Sequence, residues 1–450
     1  MDNLRTSSYI IPVKLEKEKG KYMLIHGYTG AIDVIDERLI EKLDNKSSLS
    51  ELEDSTKQSL IARGYLTTKS KEEEYSYVAR IARALHQKDK ILYKNFTWIV
   101  TYNCNFRCPY CFENRELKDK KEQIVFNQDM VDKVFRAIEE IEPQKELRNS
   151  IITLYGGEPL LKENKNIVSY IVKEGCKRGY KFSAVTNGYD LDHFSDLLSP
   201  EKIYKVQITI DGIKELHNQK RIHIEDSNTF DKIVSNIKLI LEKGIDIVVR
   251  VNTDNQNIDN FFKLNKFFKE QGIAQNKKFR MYSALLHNNA NISEEEKKSL
   301  NFLSTSSFIK RHKEMNTLSM CQDFRTFQKI YTAISTNKAI PFRSIFCASQ
   351  SGGYVFDPLG YIYPCWETIG NKKFQLGSYN NNGINWNDDM LQKWQGQNIS
   401  NSERCKRCKY ALFCGGGCLA HIADDGSAHC SFFQTMFKNT ANRAYERFTE

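Results

Sequence analysis

Three cysteines stand close together in Cys104-Asn-Phe-Arg-Cys108-Pro-Tyr-Cys111, a C-x3-C-x2-C run. Three thiolates within one short loop suit an iron–sulfur cluster, and a 4Fe-4S cluster normally takes four. A three-cysteine site therefore leaves one iron open to a ligand that is not protein, and an open iron is where chemistry can happen. A structural zinc would want four ligands closed around it. The nearest histidines, His86 and His217, lie far from the run in sequence. Seven more cysteines follow toward the C-terminus: Cys347, Cys365, Cys405, Cys408, Cys414, Cys418 and Cys430. With Cys176 and Cys321 they complete the 12 in the chain.

A disulfide framework is the alternative for such a set. Disulfide-dense chains are typically small and secreted, whereas this one has 450 residues and starts Met-Asp-Asn-Leu-Arg without an apolar signal segment. No stretch approaches the roughly 18 continuous apolar residues needed to span a membrane. The expectation is a cytoplasmic, reduced, oxygen-sensitive protein with no membrane association. A content of 40% hydrophobic and 27% charged residues fits a globular chain of several domains. The net charge of +10 is spread out, apart from short runs such as Lys118 to Lys121. Nucleic-acid binding usually leaves a basic stripe with interleaved aromatics, and none is visible.

Further along the chain comes Leu154-Tyr155-Gly156-Gly157-Glu158-Pro159-Leu160. Alone, a Gly-Gly pair is most often a turn. The cysteine triplet, with Tyr110 just before its last member, resembles the signature of radical S-adenosylmethionine (radical SAM) enzymes, and the second segment resembles that family's GGEP motif. The resemblance implies that the open iron chelates the amino and carboxylate groups of SAM. One electron then cleaves a carbon–sulfur bond, giving a 5′-deoxyadenosyl radical that abstracts hydrogen from a substrate. The cofactor carries that step while the protein positions and shields it. By the same resemblance Gly156 and Gly157 let the backbone approach SAM, Glu158 adds an acceptor, and Tyr110 and Thr209 touch the cofactor. Arg221, at a fixed offset from Ile210-Asp211-Gly212, joins them.

The C-terminal cysteines read C-x12-G-x4-C, with Gly360 as the glycine, then C-x2-C-x5-C-x3-C and a last cysteine eleven residues on. This resembles the SPASM extension of radical SAM enzymes, which holds two auxiliary clusters with interleaved ligands. Carried over, Cys405, Cys408, Cys414 and Cys430 close the distal cluster, and Cys347, Cys365 and Cys418 hold the nearer one. Its fourth ligand is left open between Cys321, a non-cysteine group and a vacancy for a substrate thiolate. Some relatives carry an extra cysteine before the first, where this chain has Pro341. The implied cofactors are three 4Fe-4S clusters and SAM. Cys176 reads as a core residue on a helix.

The elements that must position these groups alternate in βα fashion. Apolar strands are expected at Trp98–Thr101, Ile151–Tyr155, Lys181–Val185, Val206–Ile210, Ile245–Val251 and Phe279–Ala284. Met130, Val134, Phe135, Ile138 and Ile141 mark one helical face. The fold class is α/β, a partial (β/α)6 TIM-like barrel, and in such barrels active sites gather at the C-terminal strand ends. The cysteine loop, the GGEP segment and Asp211-Gly212 each follow a strand and so share one rim. Before the barrel, Tyr9–Val13, Tyr22–Ile25, the Gly27/Gly30 turn and Ala31–Ile35 suggest a hairpin followed by two short helices. This looks like the winged-helix-like domain by which peptide-modifying enzymes take a leader peptide as an added strand. Residues 72–85 suggest a helical linker. The expected division is 1–70 leader recognition, 71–95 linker, 96–300 barrel, 301–345 bridge and 346–450 SPASM domain with a C-terminal helix.

The resemblance implies a maturase of a ribosomal precursor peptide, leader plus core, of the sactipeptide or ranthipeptide type. It would abstract hydrogen and form an oxidative cross-link, most simply a cysteine thioether. A flavodoxin or ferredoxin would supply electrons. Alternatives are a formylglycine-forming sulfatase maturase, a peptide epimerase or carbon–carbon cross-linker, and a non-catalytic electron-transfer protein. Sulfatase maturases usually lack the N-terminal domain and commonly carry Gln where this chain has Tyr155, and an electron carrier has no need of an open iron.

Overall fold

The computed structural model describes residues 4–113, 124–286, 300–322, 326–421 and 431–450. Cys430 and the Lys118 to Lys121 run lie outside the described residues. Two compact units are each assembled from separate stretches of chain. One comprises Met1–Lys90, Asp323–Ser351 and Gly396–Glu450, the other Ile91–Gln322 and Gly352–Gln395.

In the first unit, β1 (Arg5–Thr6) pairs with β5 (Leu66–Thr67), while β2 (Ile10–Lys14), β3 (Lys21–His26) and β4 (Ile32–Asp36) form a three-stranded antiparallel sheet. The hairpin expected from the Gly27/Gly30 turn is β3–β4, and β2 adds a third strand. Strand alternation sends Ile11, Val13, Met23 and Ile25 against Ile330, Phe413 and Phe437. Leu24 points to the opposite face, among Leu43, Leu60 and Tyr65. Two helices follow, Glu37–Asp44 and Asp54–Arg63. Asp36 caps the first by accepting from Leu39 N at 2.9 Å.

The segment expected as a linker is a 21-residue helix, Lys71–Ile91. It is packed rather than free, with Val78 and Ala82 buried among Tyr9, Tyr28 and Leu412. Glu74 is fully buried. It accepts from Ser7 Oγ at 2.5 Å, Ser8 N at 3.0 Å, Tyr28 Oη at 3.0 Å and Arg5 Nη2 at 2.6 Å. Burial pushes this carboxyl up, but the donors and Arg5 outweigh it and hold it below the ordinary 4.5. A depressed carboxyl contributes stability that is present above the unfolded value and lost as the pH falls through the folded one. Glu74→Gln turns an amide NH2 toward two of these donors and is expected to cost about 2 kcal/mol at neutral pH. Its melting deficit against the parent should shrink below pH 4.5, which denaturant melts across that range would measure.

The second unit is built on one ten-stranded sheet. Six strands run parallel and in sequential order: β6 (Lys94–Thr101), β7 (Arg148–Gly156), β8 (Lys181–Thr186), β9 (Ile203–Thr209), β10 (Asp246–Thr253) and β11 (Phe279–Leu285). All six expected strands are present, and they make the partial (β/α)6 barrel. Helices Gln128–Ile141, Lys165–Lys177, Thr229–Glu242 and Ile258–Glu270 cross between them. The β8–β9 connection carries only a 3-10 turn, Leu191–Phe194. Trp98 on β6 packs against Phe135 at 4.9 Å, fixing which strand face meets the helices. Because the strands are parallel, every loop after a strand leaves from the same rim.

An addition not read from the sequence extends this sheet past β6. Strand β12 (Gly353–Phe356) pairs in parallel with β6. Strands β13 (Tyr361–Tyr363), β14 (Gly377–Asn380) and β15 (Gly383–Trp386) follow antiparallel. Gly360, at φ +87°, makes the β12–β13 turn that carries the chain to Cys365. Asp357 holds that turn, accepting from Leu359 N at 3.0 Å and Tyr361 N at 2.8 Å.

Candidate active site

The cysteine loop leaves the rim after β6 and is clamped from two sides by backbone. On one side, Gly157 N donates to Thr101 O at 3.0 Å and Glu158 N to Asn103 O at 2.8 Å. A Cβ on Gly157 would lie 2.3 Å from Asn103 O and 2.5 Å from Tyr102 O. The glycine requirement is thus already set by the chain's own approach to the loop, before any cofactor is considered. On the other side, Arg107 N donates to Ile222 O at 2.7 Å and Ile224 N to Asn105 O at 2.9 Å. Within the loop, Cys111 N bonds Cys108 O at 3.1 Å, so these two cysteines share one turn. Phe106 N donates to Cys104 Sγ at 3.4 Å.

Glu158 is 1% exposed. Its oxygens accept from Thr186 Oγ1 at 2.6 Å, Asn187 N at 2.5 Å and Leu160 N at 2.9 Å. Asn187 in turn donates to Asn105 Oδ1 at 2.7 Å, tying the ends of β7 and β8 to the cysteine loop. The acceptor expected for SAM is therefore engaged by protein donors and works as a hub. Burial lifts this carboxyl from 4.5 to about 7, against the pull of those hydrogen bonds. The native chain then holds an extra proton between those values, so its contribution is full below pH 4.5 and lost as pH rises through about 7. Glu158→Gln is expected to flatten that decline, by up to about 3 kcal/mol over the interval, read from urea melts at about pH 5 and about pH 8.

Tyr110 donates its hydroxyl to Asp211 and accepts from Arg221 Nη1 at 3.2 Å. Asp211, fully buried, also accepts from Asn252 N at 2.9 Å. Burial raises the Asp211 carboxyl, with Arg221 and the Tyr110 hydroxyl pulling the other way. Tyr110 itself is pushed far above 10 by burial and stays neutral. His217 accepts from Asp211 N at 3.4 Å through Nδ1, and burial with the Arg221 charge drives it well below 6.5, so it is neutral too. Asp211, Asn252 and His217 were missed as site residues, although Ile210-Asp211-Gly212 pointed to the first. Thr209 ends β9 beside Arg250 of β10 and is nearly buried.

Inside the barrel, Tyr282 Oη donates to Gln207 Oε1 at 2.9 Å and Arg250 Nε to Asn252 Oδ1 at 2.8 Å. Tyr155 stacks on Trp366 with centroids 5.7 Å apart. Burial, then the Glu113 charge, pushes the Tyr155 hydroxyl well up, with Glu367 adding to it and Arg250 opposing. Trp366 directly follows Cys365, whose Sγ accepts from Glu367 N at 3.5 Å. Tyr102, which leads into the cysteine loop, donates to Asp357 at 2.8 Å. Burial pushes the Asp357 carboxyl up to about 6.

In the first unit, Cys405, Cys408 and Cys414 line one cavity of about 390 Å³ with Arg407, Tyr410 and Phe433. These are three of the four expected distal ligands, and Cys430 is outside the described residues. Gly415, Gly416 and Gly417, at φ +80°, +93° and +86°, turn the chain between Cys414 and Cys418. A Cβ on Gly415 would meet Ile345 O at 2.1 Å. Cys347 and Cys418 belong to the first unit, Cys365 and Cys321 to the second. Cys347 Sγ lies 2.9 Å from Ser349 Oγ. Cys321 is buried in a parallel bridge to Ser283 of β11. Cys176 is on the expected helix but only half-buried, with its thiol toward Glu201 O at 3.6 Å, so it is not a core residue.

Residues 98–268 match the family model of the Radical SAM superfamily. The match starts in β6 and takes in the cysteine loop, the GGEP segment, Thr209 and Arg221, so the protein carries a radical SAM domain and is an enzyme. The chain is 24% identical over 375 residues to the cysteine-type anaerobic sulfatase-maturating enzyme of Clostridium novyi (strain NT), spanning 76% of this chain and 94% of that protein. Among solved structures it is similar to native anSMEcpe with bound AdoMet, with a TM-score of 0.57, 19% identity, and coverage of 79% of this chain and 98% of that one. It is also similar to Streptococcus suis SuiB bound to precursor peptide SuiA, with a TM-score of 0.50, 17% identity, and coverage of 96% and 100%. At these identities the likeness establishes the fold.

Proposed function

We propose that this enzyme matures a ribosomally made peptide by radical chemistry and closes a cysteine thioether in it. The observation that carries the reading is the clamped C-x3-C-x2-C loop on the barrel rim, with the buried Arg221 held against it through Tyr110 and Phe106. Cys104, Cys108 and Cys111 would hold a 4Fe-4S cluster. The donor set fits, with three soft thiols in one loop and the buried Arg221 guanidinium held against it through Tyr110 and Phe106. When bound, that cluster supplies the electron that cleaves SAM to a 5′-deoxyadenosyl radical. Tyr110, Gly156, Gly157, Glu158, Thr209 and Arg221 line the approach for SAM, and Glu158 also holds the loop in place. Cys405, Cys408, Cys414 and Cys430 would hold the distal auxiliary cluster. Cys347, Cys365 and Cys418 would hold the nearer one, with its fourth position for Cys321, another group or the substrate thiolate. A flavodoxin or ferredoxin supplies electrons, and the protein works in the cytoplasm. Among the described residues no helix is long and apolar enough to cross a membrane.

The N-terminal sheet supports leader recognition. Strand β4 is one of its two edge strands, Val34 on it is 43% exposed, and a cavity of about 440 Å³ beside it is lined by Ile32, Asp33, Arg63, Lys338 and Phe448. An exposed strand of this kind accepts an added peptide strand. The similar SuiB structure has the precursor peptide SuiA bound, which supports a peptide substrate here.

The likeness to sulfatase-maturating enzymes favours a second reading, oxidation of a cysteine to formylglycine. Tyr155 and the N-terminal domain favour the cross-linker. The mass of a peptide encoded beside this gene, after anaerobic co-expression, decides between them. Loss of two hydrogens per event, with sulfur retained and no thiol left to alkylate, supports the thioether. Loss of sulfur supports formylglycine, and an unchanged mass contradicts both.

A further inference from the structure

We infer that Arg221 is a positioning residue whose guanidinium is the fixed positive charge that sets how readily the cluster at Cys104, Cys108 and Cys111 accepts an electron. The inference rests on the cluster reading above and deepens it. Arg221 follows the helix Lys214–Lys220 and is 9% exposed. Its Nη1 donates to Tyr110 Oη at 3.2 Å, and its guanidinium carbon sits 5.3 Å from the Phe106 ring centre. Phe106 and Tyr110 stand two residues either side of Cys108, so the charge is held against that part of the loop. The backbone bonds of Arg107 to Ile222 and of Ile224 to Asn105 fix the same register.

The charge has no direct anionic partner among the described residues. Tyr110 is neutral and its own proton goes to Asp211. The neighbouring Lys220 is paired with Asp254. Nε of Arg221 is buried and has no hydrogen-bond partner among the described residues. A buried cation left in this way is unfavourable unless negative charge lies close by. Burial opposes the charged guanidinium. A thiolate-bound cluster becomes more negative when it gains an electron, and a fixed cation at low dielectric stabilises that state. No bond forms or breaks in this step. One electron passes from the reductant to the cluster.

The test is a potentiometric titration of the reconstituted full-length protein, with titanium(III) citrate as reductant and without SAM. The electron paramagnetic resonance signal followed is the one that changes when SAM is added to a parallel sample. Leaving SAM out removes any contribution from contact between Arg221 and the cofactor. Arg221→Gln is expected to lower the midpoint by the equivalent of about tenfold in the one-electron equilibrium, or about 59 mV. Arg221→Lys, which keeps the charge, should recover most of that shift. Asp211→Asn, which deletes the carboxylate that Tyr110 donates to, should raise the midpoint. Unchanged midpoints in Arg221→Gln and Asp211→Asn, with iron content as in the parent, overturn the inference. Should Arg221→Gln fail to hold its cluster, Asp211→Asn decides alone, and an unmoved midpoint there is fatal. A parent protein with no SAM-responsive signal would instead overturn the cluster reading itself.

Discussion

Cys108→Ala is expected to lose about four irons per chain and to cut SAM cleavage to the uncatalysed level. Cys108 is buried and shares a turn with Cys111, while Phe106 and Tyr110 on either side of it are held by Arg221. Removing one of three thiolates leaves a cluster two protein ligands. Any iron held at the proposed auxiliary cysteines, which belong to other segments, should stay. Iron analysis and the SAM-responsive resonance signal would measure this, and full iron content in Cys108→Ala would contradict it.

Gly157→Ala should lower SAM cleavage by about 10²-fold, the size of effect that a displacement of about 1 Å near the chemistry produces. The added Cβ would stand 2.3 Å from Asn103 O and 2.5 Å from Tyr102 O, both backbone atoms that cannot rotate aside. Two hydrogen bonds, Gly157 N to Thr101 O and Glu158 N to Asn103 O, hold the chains at that separation. The alanine must therefore push the end of β7 away from the residues that lead into Cys104. The packing cost is about 3 kcal/mol, so the variant should fold with a lower melting point. Steady-state cleavage of SAM by folded, iron-loaded protein separates the two effects. Parent-like turnover would show that the loop tolerates the displacement.

Much of this site was legible in the sequence because it is local. Each barrel strand is a short apolar run bounded by polar turns, and the cysteine loop, the GGEP segment and Asp211-Gly212 each sit directly after one. Parallel pairing then brings them to one rim. What was not legible depends on contacts between distant segments. Nothing in Gly353-Tyr-Val-Phe356 says that it pairs with Asn95–Trp98 on β6. The bond from Tyr102 to Asp357 spans 255 residues. Glu158 looked like a cofactor acceptor because motif and position matched. Only the fold reveals that Thr186, Asn187 and Leu160 also donate to its oxygens. The 72–85 segment reads as a helical linker from its sequence, whereas in the fold Glu74, Val78 and Ala82 are buried.

The central claim is that the reduced protein cleaves SAM through the Cys104, Cys108 and Cys111 loop. The most direct measurement is the 5′-deoxyadenosine formed when anaerobically reconstituted, reduced protein is mixed with SAM. The account predicts 5′-deoxyadenosine and methionine in equal amounts, increasing with time and absent from the Cys108→Ala variant. No 5′-deoxyadenosine from protein carrying its full complement of iron, or the same yield from Cys108→Ala, would contradict it.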